Sequence, residues 1–164
     1  MIWLAFPAFV FLTVRLTVVL VNLFSGQYLK DRPPESHPSV SVLIPARNEA
    51  GNLPGLLEGL LGQSYRPLEI WIYNDDSTDR TQEVVEAYAV QHSHIQYIKG
   101  KALPGGWNGK NHACHQLSLK AKGEYLLFLD ADVRVDRDLL SRAVAHALRY
   151  DLVLRSLFPR QMME

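Results

Sequence analysis

Four short apolar runs, each closed by a cluster of polar residues, constrain this chain more than any other feature. The runs are Val40 to Ile44, Leu68 to Tyr73, Ile95 to Ile98 and Tyr125 to Leu129. Each is the length of a strand and rich in β-branched or aromatic residues. Between them the apolar spacing changes to that of helices, expected over Glu49 to Gln63, Asp79 to Gln91, Lys110 to Lys122 and Asp136 to Arg149. Leu53, Leu56, Leu57, Leu60 and Leu61 would share one face of the first, and Asp151 to Leu154 reads as the start of a further strand. Strands that are apolar throughout and alternate with helices predict an α/β fold, a mainly parallel sheet with helices on both faces. In such sheets ligands bind beyond the carboxyl ends of the strands.

The polar clusters stand at those ends. They are Pro45-Ala46-Arg47-Asn48-Glu49, Asn74-Asp75-Asp76-Ser77-Thr78-Asp79 and Asp130-Ala131-Asp132, joined by the loop Gly105-Gly106-Trp107-Asn108-Gly109-Lys110-Asn111. Asp130 and Asp132 are two apart, on one side of an extended chain, and repel unless a cation or proton lies between them. Hard oxygen donors suit Mg²⁺ or Mn²⁺, held by one or two carboxylates together with substrate phosphates. Asp75 leaves its strand directly and can accept from a base N–H or a ribose hydroxyl. Arg47 offers a cation near a helix N-terminus, where phosphate is also favoured. Asn48 and Glu49 are expected to cap the first helix, and Ser77 or Asp79 the second. The pairs Gly105-Gly106 and Gly109-Lys110 would let backbone approach a ligand and supply one cation. Lys110 is followed by Asn111, so the loop is no Walker A motif, and no G-x-G-x-x-G follows the first strand. His112, Cys114 and His115 fall short of a zinc set, because position 114 turns away from the face shared by 112 and 115.

The chain is expected to have three parts: an anchor over 1–24, a linker over 25–39 and a globular part over 40–164. Residues 2–24 are apolar almost throughout, with Arg15 the one charge, and about 20 such residues span a bilayer as a helix. No basic residue precedes the run, which favours a retained transmembrane anchor over a signal peptide. Lys30 and Arg32 follow it, so the positive-inside rule places the soluble part in the cytoplasm, with one pass through the cell membrane. Charge is balanced at 17 basic and 17 acidic residues, which provides no basic field for nucleic acid. The single cysteine, Cys114, excludes an internal disulfide.

The motifs P-A-R-N-E, N-D-D-S-T-D, G-K-N-x-A-C and F-L-D-A-D-V occur in this order over about Val40 to Leu154. In combination they resemble the family-2 inverting glycosyltransferases of GT-A (Rossmann-like) fold. The stretch L-P-G-G-W-N-G-K-N-H-A-C-H-Q resembles a membrane-associated subgroup that includes carotenoid- and hopanoid-associated enzymes. The resemblance implies that Pro45, Arg47 and Glu49 line a nucleotide-sugar pocket and that Asp75 bonds the base, usually uracil. It places Lys110 near the base or the diphosphate. Asp130 and Asp132 become the D-x-D motif, with Asp132 the likelier direct ligand of a divalent metal. That ion would neutralise the leaving diphosphate while the sugar is transferred with inversion.

Asn74 departs from the family's usual carboxylate. The resemblance also places the catalytic base and the acceptor-binding elements beyond residue 164, so the chain is expected to be cut short, with a companion chain a candidate for the missing half. A lipid acceptor suits a membrane anchor. Two other readings compete: a non-catalytic nucleotide-sugar-binding remnant, and a nucleotidyltransferase, which would carry a Gly-rich signature where P-A-R-N-E stands.

Overall fold

The computed structural model describes residues 2–24, 29, 32–66 and 68–157, without the side chains of residues 2–5 and 22. The chain divides into two units, Met1–Lys30 and Asp31–Glu164.

In the first unit, α1 runs Ile2–Phe24, the extent expected of the anchor. The Thr13 and Thr17 hydroxyls donate back to the carbonyls of Phe9 and Thr13, which satisfies them inside an apolar helix. The Arg15 guanidinium lies 5.9 Å from the centre of the Phe11 ring. Among the described residues no helix is long and apolar enough to cross a membrane. Met1 and several α1 side chains lie outside those residues, so the anchor rests on the sequence. Residues 25–28, 30 and 31 of the expected linker are also outside them, and 32–39 forms neither helix nor strand.

Among the described residues the second unit holds a sheet of four strands, β1 (Val40–Ala46), β2 (Leu68–Asn74), β3 (Ile95–Lys99) and β4 (Tyr125–Phe128), in the order β3-β2-β1-β4. All three pairings are parallel. Four helices connect and follow them: α2 (Leu53–Leu61), α3 (Thr81–Gln91), α4 (Gly109–Ser118) and α5 (Leu139–Arg149).

Strand residues sort the helices to the two faces. Val42, Ile44, Ile70 and Ile72 meet Leu53, Leu56, Leu57 and Leu60 of α2, Val85 of α3, and Leu140 and Val144 of α5. Leu43 and Tyr73 point the other way and pack on Ala113 and Leu117 of α4. Helices therefore lie on both faces, as the continuous apolar strands predict. The α4 side is thinly covered at β4, where Leu126 and Phe128 stay 44% and 46% exposed.

The connection from α4 to β4 is tied across the sheet by one carboxylate. Ser41 of β1 lies in register with Glu69 of β2. The Ser41 hydroxyl donates to Glu69 Oε1 at 2.5 Å, the Lys122 amide donates to the same oxygen at 2.8 Å, and the Gly123 amide donates to Ser41 Oγ at 2.8 Å. Burial pushes the Glu69 carboxyl up, but the bonds from Ser41 and Lys122 outweigh it and hold the group below its ordinary 4.5. A carboxyl lowered by folding stabilises the fold above its unfolded value and loses that contribution as pH falls through the folded one. Glu69→Gln is expected to lower the melting temperature by about 2–5 °C at pH 7. The wild-type advantage should begin to shrink as pH falls below 4.5 and be lost only once the lower folded value is passed, which a series of melts from pH 7 to pH 3 follows.

Several boundaries differ from the sequence expectation, each for a local reason. The first strand does not stop at Pro45. Leu43 O accepts from Leu129 N on the β4 side and Ala46 O accepts from Asp75 N on the β2 side, so the missing N–H of Pro45 faces β4. Pairing with β4 has already ended at Leu43, and a proline is tolerated there. The helix expected from Glu49 begins at Leu53; Glu49 O accepts from the Asn52 and Leu53 amides, so 50–52 form a turn that leads into it. The helix expected from Asp136 begins at Leu139, after Asp136 has accepted from the Asp138 amide. No strand forms over Asp151 to Leu154: Asp151 turns with φ 49°, and Val153 and Leu154 are exposed.

Candidate nucleotide-sugar site

The strand order creates the site. From β1 the chain moves outward to β2 and then β3, and α4 brings it back to place β4 on the other side of β1. Beyond Leu43 and Phe128 the two strands no longer pair, and a crevice opens at this switch point. It has a volume of about 450 Å³, within the range of small-molecule sites.

All seven residues singled out in the sequence line it: Pro45, Arg47, Glu49, Asp75, Lys110, Asp130 and Asp132. Asn108, Gly109 and Ala113 join them from α4. Asn108 and Gly109 belong to the loop already marked in the sequence, whereas Ala113 was missed because a small apolar residue carries no chemical signature of its own. Asn108 accepts from the Lys110 amide at 3.1 Å and so starts the helix. Gly109 is needed because a Cβ there would stand 2.7 Å from Asp75 Oδ2. Gly105 and Gly106 stand outside the residues that line the crevice. Gly106, at φ 83°, makes the turn before Trp107.

Two cation–carboxylate pairs sit in the crevice. Arg47 Nη1 lies 3.9 Å from Asp75 Oδ2, with Arg47 exposed and Asp75 largely covered. Lys110 Nζ lies 2.5 Å from Asp130 Oδ1, both side chains more than half exposed. The hydrogen bond to Asp130 raises the Lys110 ammonium against a smaller opposing effect of burial, with the Asp132 charge adding to the rise. Asp130 and Asp132 occupy a turn after β4, with Ala131 buried between them. Four carboxylates, Glu49, Asp75, Asp130 and Asp132, thus face two cations, Arg47 and Lys110, in one crevice. A diphosphate would be repelled by such a surface unless a cation came with it. Among the described residues no three His, Cys, Asp or Glu side chains gather into a metal cage of their own. The donor set suits an ion shared between one or two carboxylates and phosphate oxygens.

The loops after β1 and β2 are locked together. Asn48, at φ 58°, accepts from the Thr78 amide at 2.8 Å and donates its own amide to Ser77 Oγ at 2.9 Å. Asp79 accepts from the Thr81 amide and hydroxyl and from the Ala50 amide. Of the expected caps, Asp79 therefore serves the first turn of α3, whereas Ser77 and Asn48 join loops. Glu49 Oε2 accepts from Asn52 Nδ2. Asn74 is buried, and its Oδ1 accepts from the Ser77 amide at 3.0 Å. Its task is to build the turn that presents Asp75, which an asparagine does as well as an aspartate.

The three residues weighed for zinc separate. His112 is buried with Nδ1 3.4 Å from the Tyr73 hydroxyl, and the Trp107 ring lies across His112 and His115. Cys114 is on the side of Lys110 and Asp130. Burial pushes its thiol up, with Lys110 opposing and Asp130 reinforcing, so it is protonated at neutral pH.

Residues 41–163 match the model of a known family, described as glycosyl transferase family 2. The chain belongs to that family. It is 35% identical over 120 residues to a 4,4'-diaponeurosporenoate glycosyltransferase of Staphylococcus haemolyticus, covering 71% of this chain and 31% of the relative. Its fold is that of the GT-A glycosyltransferases. A mannosyltransferase from Pyrobaculum calidifontis, solved with GDP-Man and Mn²⁺, superposes with a TM-score of 0.69 at 25% identity, covering 88% of this chain and 42% of that one. TarS of Staphylococcus aureus, solved with UDP-GlcNAc, gives 0.57 at 28% identity, with 69% and 32% covered. This family-2 chain thus spans about a third of the length of the relatives it matches.

Proposed function

We propose that the chain is the donor-binding part of a membrane-anchored glycosyltransferase that takes its sugar from a nucleotide sugar, a UDP-sugar first. The crevice carries this reading: four carboxylates against two cations, at the switch point of a parallel sheet. Complexes of structural neighbours with UDP-GlcNAc, and with GDP-Man and Mn²⁺, support it.

In this reading Asp75 accepts from the base or ribose, and Gly109 leaves room for its carboxylate. Arg47 and Lys110 face the diphosphate. Asp132, with Asp130, holds a divalent ion, Mg²⁺ or Mn²⁺, which supplies Lewis-acid neutralisation of the leaving diphosphate. Inversion at the sugar needs a general base, which the reading assigns to polypeptide outside this chain, in the same gene product or a companion. An apolar α1 in the bilayer would hold the crevice at the cytoplasmic surface, where a lipid acceptor is within reach.

Calorimetry of the full chain in detergent, with UDP in Mn²⁺ and in EDTA, tests the reading. UDP should bind in Mn²⁺ and weaken at least about 30-fold in EDTA. Equal binding in both buffers would sink the metal-dependent donor site. A folded sample that binds neither UDP nor GDP would sink the donor-site reading itself, the non-catalytic nucleotide-sugar-binding remnant included.

A further inference from the structure

We propose that Lys110 is a placeholder cation: it occupies Asp130 until a nucleoside diphosphate arrives with its divalent ion, then exchanges the carboxylate for phosphate oxygens. The inference rests on the nucleotide-sugar reading above and adds an order and a coupling to it.

The geometry supplies both halves of the exchange. The root of Lys110 is fixed, because Asn108 caps α4 through the Lys110 amide and Gly109 abuts Asp75. Its side chain is 58% exposed and that of Asp130 57%, and its flexible stem can swing without moving the helix. An ion pair so exposed shifts an equilibrium by less than about fivefold, so a dication can displace it. Among the described residues Arg47 is placed against Asp75 and Lys110 against Asp130, which makes Lys110 the cation of the Asp130–Asp132 corner.

A dication bound there alone would stand beside the ammonium. At a separation of about 6 Å this repulsion weakens ion binding on the order of tenfold even at the dielectric of water. A diphosphate removes the conflict, because Lys110 and the ion can both face its oxygens. The acidic pair then gathers a divalent ion poorly by itself and well together with the donor. The coupling is reciprocal, since each ligand must improve the other by the same factor.

The test is Mn²⁺ binding to the full chain in detergent, read from the electron spin resonance of the free ion, alone and with saturating UDP. Lys110→Gln should bind Mn²⁺ alone about tenfold more tightly than wild type and UDP with Mn²⁺ about tenfold more weakly. Lys110→Arg, which can grip Asp130 through two N–H groups, should bind Mn²⁺ alone more weakly than wild type; it keeps the test decisive should the glutamine variant fail to fold. Mn²⁺-alone affinity unchanged or reduced in a folded Lys110→Gln, or increased in Lys110→Arg, would overturn the exchange. Failure of the donor reading looks different: wild type would then bind no UDP in any buffer, whatever Lys110 does to Mn²⁺ alone.

Discussion

If Asp132 holds the divalent ion as proposed, Asp132→Ala should weaken UDP binding in Mn²⁺ by at least about 100-fold. The melting temperature should barely move, because Asp132 is exposed in a turn and the buried residue of the motif is Ala131. Asp130→Ala makes the informative comparison. It removes a carboxylate but also releases Lys110 from its 2.5 Å pair. Part of the lost ion binding should therefore return as direct attraction between Lys110 and phosphate, so Asp130→Ala keeps weak UDP binding in EDTA. Calorimetry in Mn²⁺ and in EDTA on the two variants separates the roles. Equal losses in both buffers would show that the two carboxylates act on the nucleotide without a metal. Full affinity retained by Asp132→Ala would remove that residue from the site.

The parts of the fold and site that could be read from the sequence are those where a residue type has one dominant physical use. Val42, Ile44, Ile70 and Ile72 can only be buried strand, and they form the core against α2, α3 and α5. Asp130 and Asp132 after an apolar run had to face a polar cavity, and they line the crevice with Asp75 and Lys110. What stayed hidden depends on pairing between distant segments. Pro45 looks like a strand breaker until the order β2-β1-β4 shows its imide on a side where pairing has already ended. Glu49 and Ala50 look like a helix start, but their amides bond Thr81 and Asp79 of the next loop and the helix proper begins at Leu53. Asn74 looks like a lost carboxylate until its Oδ1 is found on the Ser77 amide. The glycines show the same limit. Gly109 is required by Asp75, which lies far from it in sequence.

Asn48 concentrates that lesson in one residue, and Asn48→Ala is expected to cost about 2–4 kcal/mol of stability together with most of the UDP affinity. The backbone at 48 has φ 58°, a left-handed conformation that asparagine tolerates and alanine resists by about 1 kcal/mol. Its Oδ1 also accepts from the Thr78 amide and hydroxyl, bonds worth about 0.5–1.5 kcal/mol each. Asn48 stands between Arg47 and Glu49, and Thr78 lies three residues after Asp75, so the lock fixes both walls of the crevice at once. Three substitutions divide the effect. Asn48→Gly removes the strain but not the lost bonds, and should be about 1 kcal/mol more stable than Asn48→Ala while binding UDP equally poorly. Asn48→Asp keeps an acceptor and a tolerated φ, and should restore most of both properties. Urea unfolding and UDP calorimetry on the three variants read the two quantities independently. If Asn48→Gly binds UDP as wild type does, the side chain is not what holds the loops in register, and the backbone turn alone presents Arg47 and Asp75.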